Sequence, residues 1–381
     1  MNMVPVDMKP AAGTPAETAE AGSGSSGLPV LQLVGVRKMF KDFAAVERID
    51  LDIREGEFLT IVGPSGSGKT TLLRMLAGME SPSEGNITLR GHKINDTPPN
   101  KRPTCLVFQS LALFPHMTVG RNIEFALKVR GMAPAERRRR ALELMKMVRL
   151  PEGHYGRNVM QCSGGEKQRV ALARAFAYDP DILFFDEPLS ALDYKLKKAL
   201  EKELKDLHKE SGKTFVYITH SLEEALVMSD RIGVMRAGRL VQVGTPEEIY
   251  TRPANRFVSE FVGEVNVLTA RRSATGGGWT APECTAPLKL ALPERLADAT
   301  EVAVVVRPEF LRFVQGPGEA DNCLSGVLYN EYSLGSRVQY QIRVGSSVML
   351  AEVSRGLGRT AVVDQPVLVG WDARDAIVVE V

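Results

Sequence analysis

Gly63-Pro64-Ser65-Gly66-Ser67-Gly68-Lys69-Thr70 constrains this chain more than any other stretch. It fits G-x-x-x-x-G-K-[ST], a phosphate-binding loop known as Walker A. Phe58 to Val62 is a short apolar run, β-branched at Thr60, Ile61 and Val62, and reads as a buried strand. Thr71 to Ala77 reads as a helix that Gly78 is placed to stop. The loop therefore lies between a strand and a helix, as the mechanism requires. Its glycines let the backbone curl until several N–H groups face one anion. The helix N-terminus adds its partial positive charge. Lys69 is expected to reach the β- and γ-phosphates of a nucleotide, and the Thr70 hydroxyl to take a place on Mg²⁺. A merely flexible Gly/Ser loop would need neither Lys-Thr after its last glycine nor this strand and helix around it.

The 381 residues suit two or three domains with ample core. There are 48 basic and 46 acidic residues, a net charge of +2, so no nucleic-acid or acidic-membrane surface is expected. No apolar run approaches the ~18 residues of a membrane span, so any membrane link is expected to run through a partner. Cys105, Cys162, Cys284 and Cys323 are far apart and form no CxxC pair, which argues for neither a zinc site nor a disulfide framework. The N-terminus has no basic segment followed by an apolar core and is not read as a signal peptide. A reducing cytoplasm is the expected compartment.

Residues 1–28 are rich in Ala, Gly, Ser, Pro and Glu and are expected to form a disordered tail. From Leu31 the pattern turns regular. Leu31, Leu33 and Val36 suggest one strand, and Ile49, Leu51 and Ile53 alternate with Asp50, Asp52 and Arg54 in another. Leu106-Val107-Phe108, ending at Gln109, is a further apolar run. Residues from about 117 to 160 read as mostly helical, with Leu142, Met145 and Val148 along one stripe. Arg137 to Arg140 form a basic run there. Glu136 and Glu143 lie close enough to offset it, so a solvated face is favoured over a nucleic-acid patch. Strands such as Phe215 to Thr219 alternate with helices such as Leu196 to Lys209, which implies a largely parallel sheet covered on both faces. After about Val265 the helical periodicity fades. Short Val-rich runs recur between turn residues such as Gly276-Gly277-Gly278 and Gly316-Pro317-Gly318, as in a small β-barrel or sandwich. The expected fold is α/β over residues 29–265, with a helical subdomain at about 110–165, followed by an all-β domain over 266–381.

A phosphate cradle alone does not hydrolyse a nucleotide. A metal must neutralise charge and a water must be held in line. Asp186 ends the apolar run Ile182 to Phe185 and suits the Mg²⁺ side. Glu187 beside it could orient and deprotonate the attacking water. The plain alternative is a pair of strand-end carboxylates capping the next turn. Ser163 with Glu166 fits a capping box at the start of a helix running to about Tyr178. Gly164 and Gly165 inside its first turn each cost about 1 kcal/mol against alanine, which makes sense if a ligand must approach the backbone closely. Cys162 precedes this cap. It reads either as a thiol made reactive by the helix N-terminus or as an inert small hydrophobe.

In this arrangement the chain resembles the ATP-binding subunit of an ABC transporter. The resemblance rests on Walker A at Gly63–Thr70, a Q-loop at Val107-Phe108-Gln109, and the signature Ser163-Gly164-Gly165-Glu166-Lys167-Gln168-Arg169. It continues with Walker B at Ile182 to Glu187, a D-loop at Ser190-Ala191-Leu192-Asp193, and a switch histidine, His220. The C-terminal region is similar to the TOBE domain of importer ATPases in Val306-Arg307-Pro308-Glu309 and Leu334-Gly335-Ser336-Arg337-Val338. Within importers the closest likeness is to the spermidine/putrescine and ferric-iron branch. Two positions depart from the usual signature: Cys162 stands where leucine is common, and Glu166 where glutamine is.

The resemblance implies a P-loop NTPase core with a helical subdomain and a TOBE domain, hydrolysing ATP with Mg²⁺ to power import of polyamine, iron or a related solute. It implies that Phe40 stacks on adenine and that Gly63, Pro64, Ser65, Gly66, Ser67, Gly68, Lys69, Thr70 and Thr71 hold the phosphates. Gln109 would sense Mg²⁺ and the attacking water, His220 the γ-phosphate, and Asp193 would belong to the nucleotide site. Ser163, Gly164 and Gly165 of one copy would complete the site of a second copy in a homodimer. Two membrane permease subunits and an extracytoplasmic solute-binding protein would be partners, placing the chain on the cytoplasmic side of the inner membrane. A non-transport ABC ATPase acting on nucleic acid or ribosomes is the alternative.

Overall fold

The computed structural model describes residues 29–190, 192–273, 278–284, 286–357 and 362–381. The expected tail at 1–28, Ala191 of the D-loop and Gly276-Gly277 lie outside the described residues.

The P-loop strand Phe58–Val62 is buried along its whole length. Thr214–Thr219 and Arg231–Arg236 pair with it in parallel on its two sides. The sheet order is Arg239–Gly244, Arg231–Arg236, Phe58–Val62, Thr214–Thr219, Ile182–Asp186, Thr104–Val107. The edge strand Arg239–Gly244 pairs antiparallel, and the other pairs are parallel. Continuous apolar runs are needed here because both faces of the sheet are covered. Successive residues point to opposite faces. Ile182, Phe184, Val216 and Ile218 join one core with Leu72, Leu73, Met75 and Leu76 of α1 (Lys69–Leu76). Leu183, Phe185, Phe215 and Tyr217 join the other core, with Ile123 and Leu127 of α2 (Val119–Val129) and Leu144 and Met145 of α3 (Pro134–Met147). α4 (Gly164–Ala177) adds Val170, Leu172 and Phe176 to that second core. α5 (Tyr194–Ser211) and α6 (Leu222–Met228) follow the Walker B strand and the strand Thr214–Thr219.

The early strands belong to a second, antiparallel sheet, a separation the sequence pattern does not reveal. Its order is Phe43–Ile53, Leu31–Phe40, Glu84–Leu89, His92–Lys93. Ile49, Leu51 and Ile53 turn into the core shared with α1 while Asp50 and Asp52 face solvent. The basic run on α3 is a paired, solvated face, as its neighbouring acids suggested. Arg139 and Arg140 both bridge to Glu143, Arg137 donates to the Met132 carbonyl, and Arg138 lies over the Tyr155 ring.

From Asn266 the chain forms a four-stranded and a five-stranded antiparallel sheet. They enclose a core of their own that runs from Leu268 to Val378 and includes the fully buried Trp371. Arg307 fastens this part to the helix Pro246–Thr251. Its guanidinium lies 3.6 Å from the centre of the Tyr250 ring and donates to the Tyr250 carbonyl at 2.7 Å. The Tyr250 hydroxyl donates in turn to Glu309. Among the described residues no helix is long and apolar enough to cross a membrane.

Candidate nucleotide site

The loop Gly63–Thr70 curls between its strand and α1 with no room for side chains at two of its glycines. A Cβ on Gly63 would stand 2.2 Å from the Met235 carbonyl oxygen, and one on Gly68 2.2 Å from that of Ala45. Gly68 also takes a φ of +98° as the residue that starts α1, and no side chain caps that helix. Lys69, Thr70 and Thr71 thus carry backbone N–H groups with no partner inside the helix. Lys69 is buried, and its ammonium folds back to donate to the carbonyls of Gly63 and Pro64 at 2.8 and 2.9 Å. Burial lowers its pKa, against the pull of Glu187 and Asp186. Pro64 and Ser65 are exposed at the loop tip, and Ser67 is buried beside the Lys69 ammonium.

A cleft against the loop is lined by Phe43, Ala45 and the run from Gly66 to Thr71. Phe40 is not part of that lining. Phe40 pairs with Phe43 across the hairpin, and the Lys38 ammonium sits 5.0 Å from its ring centre. Phe43 lines the cleft beside the loop, and Phe40 stands next to it, opposite Phe43 in the hairpin.

Parallel pairing brings the carboxylates and the histidine to one end of the sheet, at the carboxyl ends of adjacent strands. Asp186 pairs with Ile218, two residues before His220. The Thr70 hydroxyl donates to Asp186 at 3.4 Å. Burial raises the Asp186 pKa, and the neighbouring charge of Glu187 raises it further. Glu187 is held at φ +46°, in the left-handed region, with its N–H on the Ile218 carbonyl. Its carboxylate stands 3.0 Å from His220 Nδ1. The strand-end pair therefore does more than cap a turn, since its carboxylates engage the Thr70 hydroxyl and the His220 ring. Gln109 donates to the Ser190 hydroxyl at 3.1 Å, and that hydroxyl donates to the Glu187 carbonyl at 2.9 Å.

α4 begins with the expected capping box: Ser163 accepts from Glu166 N–H, and the Glu166 carboxylate accepts from Ser163 N–H. Gly165 has a reason inside one chain that the sequence alone does not show. A Cβ there would come within 2.9 Å of Leu196 on α5. Asp193 accepts from Leu196 N–H and caps α5. Ser163, Gly164, Gly165 and Asp193 do not line the cleft beside the P-loop of their own chain. Cys162 is buried in the core with Val159, Val170 and α4, and burial raises its pKa. The reactive-thiol reading needs an accessible sulfur, and Cys162 is 6% exposed, which favours the small hydrophobe.

An ABC transporter family description matches residues 46–190, and a TOBE domain description matches residues 304–379. The chain is 43% identical over 356 residues to "Spermidine/putrescine import ATP-binding protein PotA" of Mesorhizobium japonicum, covering 91% of this chain and 97% of that relative. The chain belongs to the ATP-binding proteins of ABC transporters. A relative of the same name from Rubrobacter xylanophilus is 44% identical over 372 residues, covering 95% and 97% of the two chains. The dimeric structure of MJ0796, a bacterial ABC transporter cassette, is 36% identical with a TM-score of 0.51, covering 57% of this chain and 98% of that one. This ABC-type ATPase has a P-loop NTPase fold followed by an all-β region that carries the TOBE match. Two residues at the site escaped the sequence reading of roles. Ser190 lay within the D-loop but had none assigned, and its place between Gln109 and Glu187 depends on a turn that no periodicity encodes. Arg174 lay in the last turn of a helix, where an arginine usually signals only a solvated face.

Proposed function

We propose that this chain is the ATP-hydrolysing subunit of an importer for polyamines such as spermidine and putrescine. The observation that carries the hydrolytic part is the convergence of the P-loop, Thr70–Asp186 and Glu187–His220 at one end of the sheet. The printed names of its relatives carry the polyamine part. They do not favour the nucleic-acid or ribosome alternative.

The residues fit a nucleotide with its cation. The P-loop offers N–H groups with no partner inside the helix and a buried lysine, and its Gly63 and Gly68 pack too closely on the Met235 and Ala45 carbonyls to carry a Cβ. Burial and the neighbouring Glu187 carboxylate raise the Asp186 pKa, a setting that a divalent cation relieves. Thr70 and Asp186 would hold Mg²⁺, with the Gln109 amide on the same side. The bound cation supplies charge neutralisation on the phosphates. Lys69 turns from its loop carbonyls to the phosphates. Phe43 packs on the base. Glu187 accepts the proton of the attacking water, and His220 steadies that carboxylate and reaches the terminal phosphate.

Two copies would assemble head to tail, each giving Ser163, Gly164, Gly165 and Asp193 to the nucleotide of the other. The first turn of α4, where Gly164 and Gly165 precede the capped Glu166 N–H, would be the anion-binding element for that purpose. Two permease subunits and an extracytoplasmic binding protein would complete the importer on the cytoplasmic side of the inner membrane.

The test is to reconstitute the chain with the permease and binding proteins encoded beside it. Polyamine should stimulate ATP hydrolysis and accumulate in the vesicles, and ferric iron should not. Stimulation by iron, or by DNA or ribosomes alone, would contradict the assignment.

A further inference from the structure

Arg174 lies near the end of α4 and points at the turn that follows Gln109. Its two terminal nitrogens donate to consecutive backbone carbonyls, Nη1 to Ala112 at 2.7 Å and Nη2 to Leu111 at 2.6 Å. Both residues are in the left-handed region, Leu111 at φ +61° and Ala112 at φ +44°. Two successive left-handed residues that are not glycine are disfavoured by contact between Cβ and the backbone. Such a turn persists only where its surroundings over-determine it. The guanidinium fork matches two neighbouring carbonyls in a way that one ammonium cannot. Its face also lies 5.7 Å from the ring centre of Phe114, at the far end of the same turn. Among the described residues, the polar partners of Arg174 are these two backbone carbonyls.

The turn begins where a chain of hydrogen bonds to the backbone carbonyl of Glu187 starts. Gln109 is two residues before Leu111. It reaches Ser190, and Ser190 reaches the backbone of Glu187. The strained turn and the two-pronged hold on it thus stand two residues from the start of this chain. We propose that Arg174 is a positioning residue for ATP hydrolysis: it holds the left-handed turn so that Gln109 stays docked on Ser190 and Glu187 stays in place. The proposal rests on the ATPase reading of the site. It adds a physical link from the helix that carries Ser163–Gly165 to the backbone of Glu187 at the end of the Walker B strand.

The test uses the full chain with Arg174→Gln, Arg174→Lys, and Arg174→Gln combined with Ala112→Gly. Arg174→Gln should lower kcat on the order of tenfold while KM for ATP changes less than about twofold, because the P-loop is untouched. Arg174→Lys should fall between it and the parent, since it keeps the charge but loses the fork. Ala112→Gly should restore most of kcat in the Arg174→Gln chain, because glycine adopts the left-handed conformation without the Cβ penalty. Hydrogen exchange should show faster exchange at residues 109–114 in Arg174→Gln, with α4 still protected. An unchanged kcat would overturn the proposal. So would a loss that tracks the thermal midpoint, or a failure of Ala112→Gly to restore turnover. Absence of hydrolysis in the unmodified chain would refute the ATPase reading instead, and the exchange measurement would still decide whether Arg174 holds the turn.

Discussion

The Thr70 hydroxyl and the Asp186 carboxylate stand 3.4 Å apart, 116 residues distant in the chain. Burial and the charge of Glu187 raise the Asp186 pKa in the folded protein. The sign of the linkage follows. The folded state binds the proton more tightly than the unfolded state, so this group favours folding at low pH. Its contribution declines as pH rises from about 4 through the raised folded value. Asp186→Asn removes the ionised form. The nucleotide-free variant should melt at a higher temperature than the parent near neutral pH, and the difference should shrink toward pH 4. Mg²⁺-dependent turnover should be lost. A variant that melts below the parent at neutral pH would show that Asp186 is not under this penalty.

Phe43 is 63% exposed and lines the cleft beside the P-loop. Phe43→Ala should weaken ATP binding by about 1 kcal/mol, the scale of an aromatic contact. Phe40→Ala should weaken it less. Titration calorimetry on the two variants decides the order, and a larger loss for Phe40→Ala would return the adenine to Phe40.

Most of the core was legible in the sequence because it is written in local chemistry. The run Ile182 to Phe185 must be buried on both faces, the Ser163–Glu166 pair caps its own helix, and the Gly-rich loop lies between a strand and a helix. Contacts set by tertiary register were not legible. Nothing local shows that Phe43 lines the cleft beside the loop, or that Gly165 makes way for Leu196. The same holds for Cys162, whose burial depends on how α4 docks against its neighbours. The second sheet was missed as a unit because its strands are separated in sequence by the P-loop strand and α1.

Arg102 shows how a charge can serve the fold alone. It is 1% exposed and donates to the carbonyls of Met75 and Leu76 at the end of α1, and to those of Ile94 and Thr97. Arg102→Met removes these donors and leaves buried carbonyls unpaired, so it should destabilise the protein by about 3 kcal/mol. Urea unfolding measures it. A loss below about 1 kcal/mol would mean that the carbonyls find other partners.

The β-rich region encloses its own core between Leu268 and Val378. Ending the chain at Val265 should leave a folded protein that binds ATP, since the sheet, α1 and the P-loop keep their cores. The Arg307–Tyr250 contact would be lost, at the cost of a few degrees in melting temperature. Aggregation of the shortened chain, or loss of nucleotide binding, would show that the first region depends on the second.

Glu187 carries the central claim, because it is the proposed general base for hydrolysis. The most direct measurement is phosphate release with Mg²⁺ and ATP, made in parallel with ATP binding, for the unmodified chain and Glu187→Gln. Turnover should fall by about 10² or more in the variant, as expected for loss of a general base. ATP affinity should be preserved, and the variant should accumulate as an ATP-bound dimer. Turnover at the unmodified rate in Glu187→Gln would contradict the account.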